Sequence, residues 1–162
     1  MTKIFGNRTF CKVCDILPIT ENGKIKRYSP QKRYDNVKNR KIHNDGRGYF
    51  CKFSIPTGYN GAQGVYIISV NGSSKYAGES EDLRDRFNAN YGNISPRNCY
   101  TGGRITNCRI NKYILNESEN NYKIELFFSE TRTLDAAGRK EIERSLIDEL
   151  DLGVRPLKWT GS

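Results

Sequence analysis

One stretch of this chain is typical of a β-hairpin, and it constrains the fold more than any other. Residues 64–70, Gly-Val-Tyr-Ile-Ile-Ser-Val, are rich in the β-branched and aromatic side chains that favour strands. Residues 71–74, Asn-Gly-Ser-Ser, supply a turn, and residues 75–78, Lys-Tyr-Ala-Gly, return as a second strand. The sequence therefore predicts two antiparallel strands joined by a tight turn.

The length of this turn decides which side chains share a face of the hairpin. Successive side chains of a strand point to opposite faces, so adding or removing one residue in the connection changes which residues of the two strands lie on the same face. A two-residue loop at Asn71-Gly72 would place Tyr66 and Tyr76 on opposite faces. If both tyrosines serve one site, we expect a three-residue connection, 71–73, or a bulged one, because either puts them on the same face.

Helical and strand patterns follow the hairpin. Ser80 can cap a helix whose first turn is acidic, which suits the positive end of the helix dipole. We expect an α/β (α+β) protein with a central three-stranded antiparallel sheet flanked by helices. The predicted elements are a helix at 81–89, a loop at 91–103, a helix at 106–116, a strand at 122–129 and a long helix at 135–150 that ends near Gly153 and Pro156.

The positive charge is concentrated before the hairpin. Residues 1–63 hold 13 of the 27 Lys and Arg but only 4 of the 18 Asp and Glu, which accounts for the whole net charge of +9. Turn signals divide this segment and its apolar runs are short. We expect an irregular, strand-poor basic extension at 1–61 that packs on a domain at 62–162 containing the hairpin, and that contacts a polyanion through its charge. A solvated basic surface explains the same composition.

Composition also bears on location. No stretch approaches the roughly 18 apolar residues of a membrane span, and residues 1–6 lack the apolar run of a secretory signal. The five cysteines are odd in number and irregularly spaced, which favours reduced thiols over a disulfide framework. We expect a cytoplasmic protein that associates with the nucleoid when bound to DNA.

The hairpin carries a motif. Gly64-Val65-Tyr66 is followed by Tyr76-Ala77-Gly78, and Arg86 lies eight residues after the second glycine. Together with residues 143–147, Glu-Arg-Ser-Leu-Ile, this arrangement resembles the GIY-YIG nuclease family, with Val65 and Ala77 in place of the family's two isoleucines. The resemblance covers roughly residues 62–160 and implies a metal-dependent phosphodiesterase.

The resemblance implies a role for each tyrosine. Tyr66 would lie close to the attacking water, as general base or as the group that orients the water, and Tyr76 would hold the same water or phosphate. An unperturbed tyrosine has a pKa near ~10, so base catalysis requires a phenolate stabilised by cations. Lys75 and Arg86 are the candidate cations.

Arg86 and Glu143 would bind the phosphate and the metal. A guanidinium matches phosphate geometry, and a single glutamate with waters and substrate oxygens suits Mg²⁺, for which Mn²⁺ can substitute. Glu141 and Glu149 are alternative assignments for the metal ligand. A salt bridge from Glu143 to Arg139 is the structural alternative to metal binding.

Two positions depart from the family pattern. Many members have His or Tyr four residues after the arginine, where this chain has Asn90, with Tyr91 one residue further. Either Tyr91 takes that role or the second base is absent. The family's C-terminal asparagine is also missing, and Trp159-Thr160 offers a single hydroxyl instead.

Cations elsewhere are candidate DNA contacts. Two glycine-containing segments within 91–111 supply arginines and amides suited to phosphates and base edges, although a glycine-stabilised connector explains them equally well. The first half of a zinc site is present at Cys11 and Cys14, but His43 and Cys51 do not complete a matching second half, so we expect no zinc there. The predicted DNA-binding residues are Arg84, Arg97, Arg104, Arg109, Lys41 and Arg47.

These observations lead to one functional hypothesis and two alternatives. The hypothesis is a divalent-metal-dependent DNA endonuclease that hydrolyses phosphodiester bonds in one step, with restriction-type, site-specific cleavage of duplex DNA. Duplex cleavage suggests a homodimer on DNA, one active site for each strand. The alternatives are a homing, repair or structure-selective nuclease with the same chemistry, and a nucleic-acid-binding module with weak or no catalysis.

Overall fold

The structure, a computed structural model, describes residues 1–33 and 40–152. The described residues form a mixed α/β fold in which a curled antiparallel sheet is flanked by helices. The strands are β1 (Thr2–Phe5), β2 (Arg8–Asp15), β3 (Thr20–Glu21), β4 (Lys24–Ile25), β5 (Gly64–Val70), β6 (Ser73–Ser80) and β7 (Ile124–Glu130). The helices are a π-helix (Asp85–Tyr91), α1 (Pro96–Cys99), α2 (Ile105–Glu119) and α3 (Ala136–Glu149), with 3₁₀ turns at Pro30–Arg33, Asn44–Gly46 and Thr57–Tyr59.

The main sheet has five strands in the order β1-β2-β7-β5-β6, and each neighbouring pair is antiparallel. The predicted three-stranded sheet is therefore not confirmed, because β1 and β2 extend it beyond β7. The prediction of an irregular, strand-poor segment at 1–61 was wrong for the same reason. The Gly6-Asn7 pair between β1 and β2, with Gly6 at φ 58°, is a hairpin turn signal that could have revealed these strands.

The central hairpin places both tyrosines on one face through a bulged connection, one of the two connections expected if they serve one site. The turn is the two-residue Asn71-Gly72, with φ of 49° and 83°, and Val70 pairs with Ser73. Beyond it the register shifts, because Ser69 pairs with Ser74 whereas Ile68 pairs with Tyr76. Lys75 is the extra residue of this bulge, which restores the same-face arrangement that the short turn alone would have prevented.

The later helices and strand lie close to their predicted positions. Helix α2 begins one residue earlier than predicted and ends three later, α3 begins with Asp135 as its N-cap, and β7 covers most of the predicted third strand. The predicted loop at 91–103 contains the short α1. Helix α3 ends at Glu149, one residue before its predicted end, and the residues expected to terminate it, Gly153 and Pro156, lie outside the described residues, as do Trp159 and Thr160.

The first helix differs from its prediction in type. Ser80 was predicted to cap this helix, but it ends β6 and accepts only the Asp82 N–H at 3.1 Å, whereas the Asp82 carboxylate accepts the Asp85 N–H of the first helical turn at 3.1 Å. The helix that follows is a π-helix, in which the Gly92 N–H bonds to the Phe87 carbonyl five residues earlier at 2.6 Å. This wider turn changes which residue shares a face with Arg86.

The sheet separates two apolar cores. Strand β5 contributes alternate residues to each, with Tyr66 and Ile68 on one face and Val65 and Ile67 on the other. The π-helix and α2 cover the first face through Phe87 and other buried residues, whereas α3 covers the second, to which β1 contributes Phe5. Since β6 is an edge strand, groups from both faces can meet at its free edge.

Candidate active site

Tyr66 lies at the centre of an aromatic cluster beneath the π-helix. Its side chain is 1% exposed, and its ring centroid is 5.2 Å from that of Phe87, 6.2 Å from that of Tyr76 and 6.3 Å from that of Tyr91. It crosses over Gly78, its partner on β6, where an added Cβ would lie 2.3 Å from the Tyr66 hydroxyl. The second motif glycine is therefore required because the phenol occupies the space of its side chain.

The π-helix brings Tyr91 to Tyr66. The two hydroxyls are 2.6 Å apart, a hydrogen bond that is fully buried. Asn90 faces elsewhere: its amide nitrogen donates to the Asp85 carbonyl at 2.9 Å, and its oxygen is 3.5 Å from the amide nitrogen of Asn107. Of the two positions left open by the sequence, the structure places Tyr91 beside Tyr66.

Burial keeps the phenols of Tyr66 and Tyr76 protonated. Desolvation raises the pKa of Tyr66 well above its ordinary value, Tyr91 and Tyr76 raise it further, and Arg86 opposes the rise with a smaller effect. Desolvation likewise raises the pKa of Tyr76, with added contributions from the charge of Tyr91 and a hydrogen bond to it. The expected phenolate is therefore not favoured in this structure, and Lys75 is exposed at the bulge.

Arg86 is a half-buried cation beside this cluster. Its guanidinium carbon is 6.0 Å from the Tyr91 ring centroid, a cation–π contact. Burial lowers the pKa of Arg86, but the neighbouring Tyr66, Tyr91 and Glu79 outweigh this effect and the net shift is upward. Within residues 1–33 and 40–152, Arg86 forms no salt bridge, so its donors are available to an anion.

Glu143 is a half-buried carboxylate near the same edge of the sheet. Desolvation raises its pKa, the charge of Glu79 adds to the rise, and Arg86 opposes it. The alternative salt bridge to Arg139 is not formed, because Arg139 bonds to Glu79 at 3.0 Å and to Glu81 at 3.4 Å. In the part of the chain that the structure describes, Glu143 has neither an ion pair nor a hydrogen bond.

Glu79 is a residue of this region that the sequence analysis missed. Its carboxylate is 14% exposed and pairs with Arg139, whose side chain is 3% exposed, and its charge acts on both Glu143 and Arg86. The sequence feature that could have identified Glu79 is its position directly after the second motif glycine, Gly78. The alternation of β6 places it on the face toward α3, the helix that carries both Arg139 and Glu143.

The predicted DNA-binding residues fall mainly on two adjoining segments. Ile42 forms an isolated bridge with Tyr100, and the Thr101 N–H bonds to the Lys41 carbonyl at 2.8 Å. This pairing places 41–47 beside 97–104. Lys41, Arg47, Arg97 and Arg104 are exposed, Arg109 is half-buried and bonds to Asp45 at 3.0 Å, and Arg84 is half-buried at the start of the π-helix.

The cysteines and His43 have local partners. Cys11 is exposed and Cys14 half-buried, both on β2, whereas Cys51 is buried against Asn111. The Nε2 of His43 is 2.6 Å from the Asn98 carbonyl. All five cysteines are free thiols. Among the described residues, no group of three or more His, Cys, Asp or Glu side chains is arranged to hold a metal ion.

The described helices have no membrane-spanning candidate, since none combines sufficient length with sufficient apolar character. Comparison of the chain with protein-family models, with curated proteins and with solved structures finds no match. The assignment of a function therefore depends on the chemistry of the site itself.

Proposed function

We propose that this chain is a divalent-metal-dependent DNA endonuclease of the GIY-YIG type. The observation that carries the proposal is a pair of half-buried, oppositely charged side chains, Arg86 and Glu143, that lack ion-pair partners among the described residues. Arg86 lies beside Tyr91 and its charge acts on Tyr66 and Tyr76, and the charge of Glu143 acts on Tyr76. Several ionisable groups with shifted pKa values, close together at one site, are typical of active sites.

Each group has a task in phosphodiester hydrolysis. Arg86 binds the scissile phosphate and stabilises charge that builds on its oxygens in the transition state. Tyr66 and Tyr76 act as neutral hydroxyls, so they orient the attacking water and the phosphate by hydrogen bonds. Their raised pKa values favour this role over removal of a proton from water in the free protein.

Glu143 suits a hard divalent cation. An oxygen ligand that is half-buried, negatively charged and unpaired among the described residues is what Mg²⁺ or Mn²⁺ prefers, and substrate oxygens and waters would complete the coordination. The cation, when bound, lowers the pKa of its water and stabilises the departing oxygen. Its charge would also hold Glu143 in the ionised form, against the effect of burial and of Glu79.

The exposed cations supply affinity for DNA. Lys41, Arg47, Arg97 and Arg104 lie on adjoining segments that connect through α2 to the π-helix. Contacts of this kind hold the phosphate backbone, while amides in the same segments can read base edges. Site-specific, restriction-type cleavage of duplex DNA by a homodimer in the cytoplasm is the form of the activity that we propose.

A nucleic-acid-binding module without catalysis is a second candidate, and one observation favours it. Tyr66 is 1% exposed and its hydroxyl is hydrogen-bonded to that of Tyr91. The attacking water therefore contacts Tyr66 only if the aromatic cluster opens; otherwise Tyr76 and Tyr91 must connect the water to Tyr66 through their hydrogen bonds. Binding through the cationic segments requires no such access.

Nicking of supercoiled plasmid in the presence of Mg²⁺ or Mn²⁺ tests the proposal. The unmodified protein should nick the plasmid, and Tyr66→Phe, Arg86→Gln and Glu143→Ala should each lose activity by ~10²-fold or more while DNA binding is retained. Glu141→Ala is the matched control, because Glu141 is exposed on the same helix two residues away, and it should keep full activity.

Two results would decide against the enzyme. If the unmodified protein binds DNA but nicks it under none of the divalent metals tested, the binding module is the better account. If Glu143→Ala nicks as fast as Glu141→Ala, the metal assignment fails. Sequencing of the cut ends from random duplex, flap and single-stranded substrates would separate restriction-type cleavage from a structure-selective or repair role.

A further inference from the structure

Asn111 is a fully buried polar side chain on α2 whose amide is bonded to two distant backbone segments. Its nitrogen donates to the Tyr91 carbonyl and to the Cys51 carbonyl, both at 2.8 Å. Its oxygen accepts the Cys51 N–H at 2.9 Å. The residue is 0% exposed, so water does not replace these bonds and their loss would leave buried groups unpaired.

One of these bonds, to the Tyr91 carbonyl, acts at the last residue of the π-helix. A helix with five-residue hydrogen bonds is rare and needs support from its surroundings. Segment 51–55 supplies part of this support: the Phe53 N–H bonds to the Gly92 carbonyl at 3.1 Å, and the Asn88 side chain bonds to both backbone groups of Ile55, at 2.6 and 3.1 Å. Asn111 ties the start of this segment to the residue that meets Tyr66.

We propose that Asn111 is a positioning residue of the active site: by holding the Tyr91 carbonyl against Cys51, it fixes the helix register that presents the Tyr91 phenol to Tyr66. Its effect on catalysis rests on the proposed function, but its effect on the Tyr66–Tyr91 pair does not. Asn111 acts through the backbone of Tyr91 and takes no part in contact with substrate.

A purely structural role would predict a different outcome. A buried amide that only stabilises α2 would, when removed, lower the free energy of unfolding and leave the native Tyr66–Tyr91 hydrogen bond intact. A positioning role requires the 2.6 Å contact between the two hydroxyls to change in the native state. The geometry of that pair is therefore the quantity to measure.

Fluorine NMR of protein labelled with 3-fluorotyrosine reports on this contact, with resonances assigned from Tyr66→Phe and Tyr91→Phe. In Asn111→Leu, which is similar in shape but lacks the amide, the Tyr66 resonance should move toward its position in Tyr91→Phe. In the nicking assay the same variant should lose ~10²-fold in kcat with little change in KM, because the reacting groups shift while the DNA-binding surface stays.

Phe10→Leu is the matched control for lost stability. Phe10 is fully buried in the core on the opposite face of the sheet, with Phe5 and Phe127. This variant should lower Tm by an amount comparable to Asn111→Leu, yet leave both the Tyr66 resonance and kcat unchanged. A shift of the Tyr66 resonance in Phe10→Leu as large as in Asn111→Leu would overturn the inference.

Asn111→Asp provides a second route if Asn111→Leu does not fold. The introduced carboxylate can still accept the Cys51 N–H but cannot donate to the Tyr91 carbonyl. A buried carboxyl has a raised pKa, so it takes up a proton in mild acid and regains one donor. The Tyr66 resonance should then return toward its position in the unmodified protein as pH falls, and no return would count against the proposal.

The outcomes separate this inference from the proposed function. If the unmodified protein nicks no DNA but the Tyr66 resonance moves in Asn111→Leu, the positioning role stands and the nuclease assignment fails. If the unmodified protein nicks DNA and the Tyr66 resonance in Asn111→Leu stays where it was, the positioning role is refuted, whatever happens to kcat.

Discussion

Gly78→Ala tests the physical reason for the second motif glycine. An added Cβ would lie 2.3 Å from the Tyr66 hydroxyl and 2.4 Å from its Cζ, whereas ordinary contact begins at 3.4 Å. The phenol must therefore move by about 1 Å, since a packed interior leaves little free space. It cannot rotate away cheaply, because Phe87, Tyr76 and Tyr91 surround its ring.

The expected cost follows from two effects. Overpacking of a core by one methyl group costs about 1–3 kcal/mol, and displacement of Tyr66 also breaks its 2.6 Å hydrogen bond to Tyr91, which adds about 1 kcal/mol. The sum, roughly 2–4 kcal/mol, corresponds to a fall in Tm of about 4–16 °C for a chain of this size. Nicking should fall by ~10²-fold because Tyr66 is misplaced.

Urea and thermal unfolding followed by circular dichroism measure the cost, and a double-mutant cycle assigns it. In a Tyr66→Leu background the clashing ring atoms are absent, so Gly78→Ala should cost much less than in the unmodified protein. Gly58→Ala is the control, because nothing lies within 4 Å of its added Cβ, and it should change stability by less than about 1 kcal/mol. Equal costs of Gly78→Ala in both backgrounds would refute the steric argument.

Three further predictions concern the polar groups of the site. Tyr91→Phe should destabilise by about 1–3 kcal/mol because the Tyr66 hydroxyl loses its partner, and the double variant with Tyr66→Phe should cost less than the sum of the two, as measured by urea unfolding. Arg139→Met should destabilise by about 3–5 kcal/mol because it leaves Glu79 buried and unpaired, and Glu79→Gln in that background should recover part of the loss. The pKa of Glu143 is higher in the folded state than its ordinary value of 4.5, so its contribution to stability is complete below pH 4.5 and is lost as pH rises through the folded-state pKa. Glu143→Gln cannot titrate, so it should become more stable relative to the unmodified protein as pH rises through this range. Urea unfolding at each pH measures the difference.

Each of these predictions has a result that would contradict it. Additive costs of the two Tyr→Phe substitutions would show that the hydroxyls do not depend on each other. An Arg139→Met variant as stable as the unmodified protein would mean that its ion pair with Glu79 contributes nothing. For Glu143, the comparison is Glu141→Gln, which removes an exposed carboxylate from the same helix, and a pH-dependent gain of the same size in both variants would exclude burial as the cause.

The local features of the fold could be predicted because they depend on nearby residues. Turn residues and β-branched side chains define the hairpin 64–80, and apolar spacing defines α2 and α3. A three-residue or bulged connection was expected if Tyr66 and Tyr76 serve one site, and the bulge at Lys75 does place them on one face. The alternation of side chains along a strand links residues a few positions apart, so the sequence carries this information directly.

The position of Tyr91 could not be predicted, since helix type depends on contacts distant in sequence. Residues 85–91 are compatible with an ordinary α-helix, which would have presented Asn90 four residues after Arg86. The bonds from Phe53, Asn88 and Asn111 act at the π-helix and the residue after it, and no local pattern records them.

The sequence by itself determined the hairpin and the long helix that carries Glu143, because periodicity and turn chemistry act over a few residues. Tertiary structure alone decided that β2 pairs with β7 to widen the sheet, that Arg139 pairs with Glu79 and leaves Glu143 unpaired among the described residues, and that Tyr91 meets Tyr66. These outcomes depend on which groups, distant in sequence, are buried next to each other, because buried polar groups need hydrogen-bond partners and the interior is closely packed.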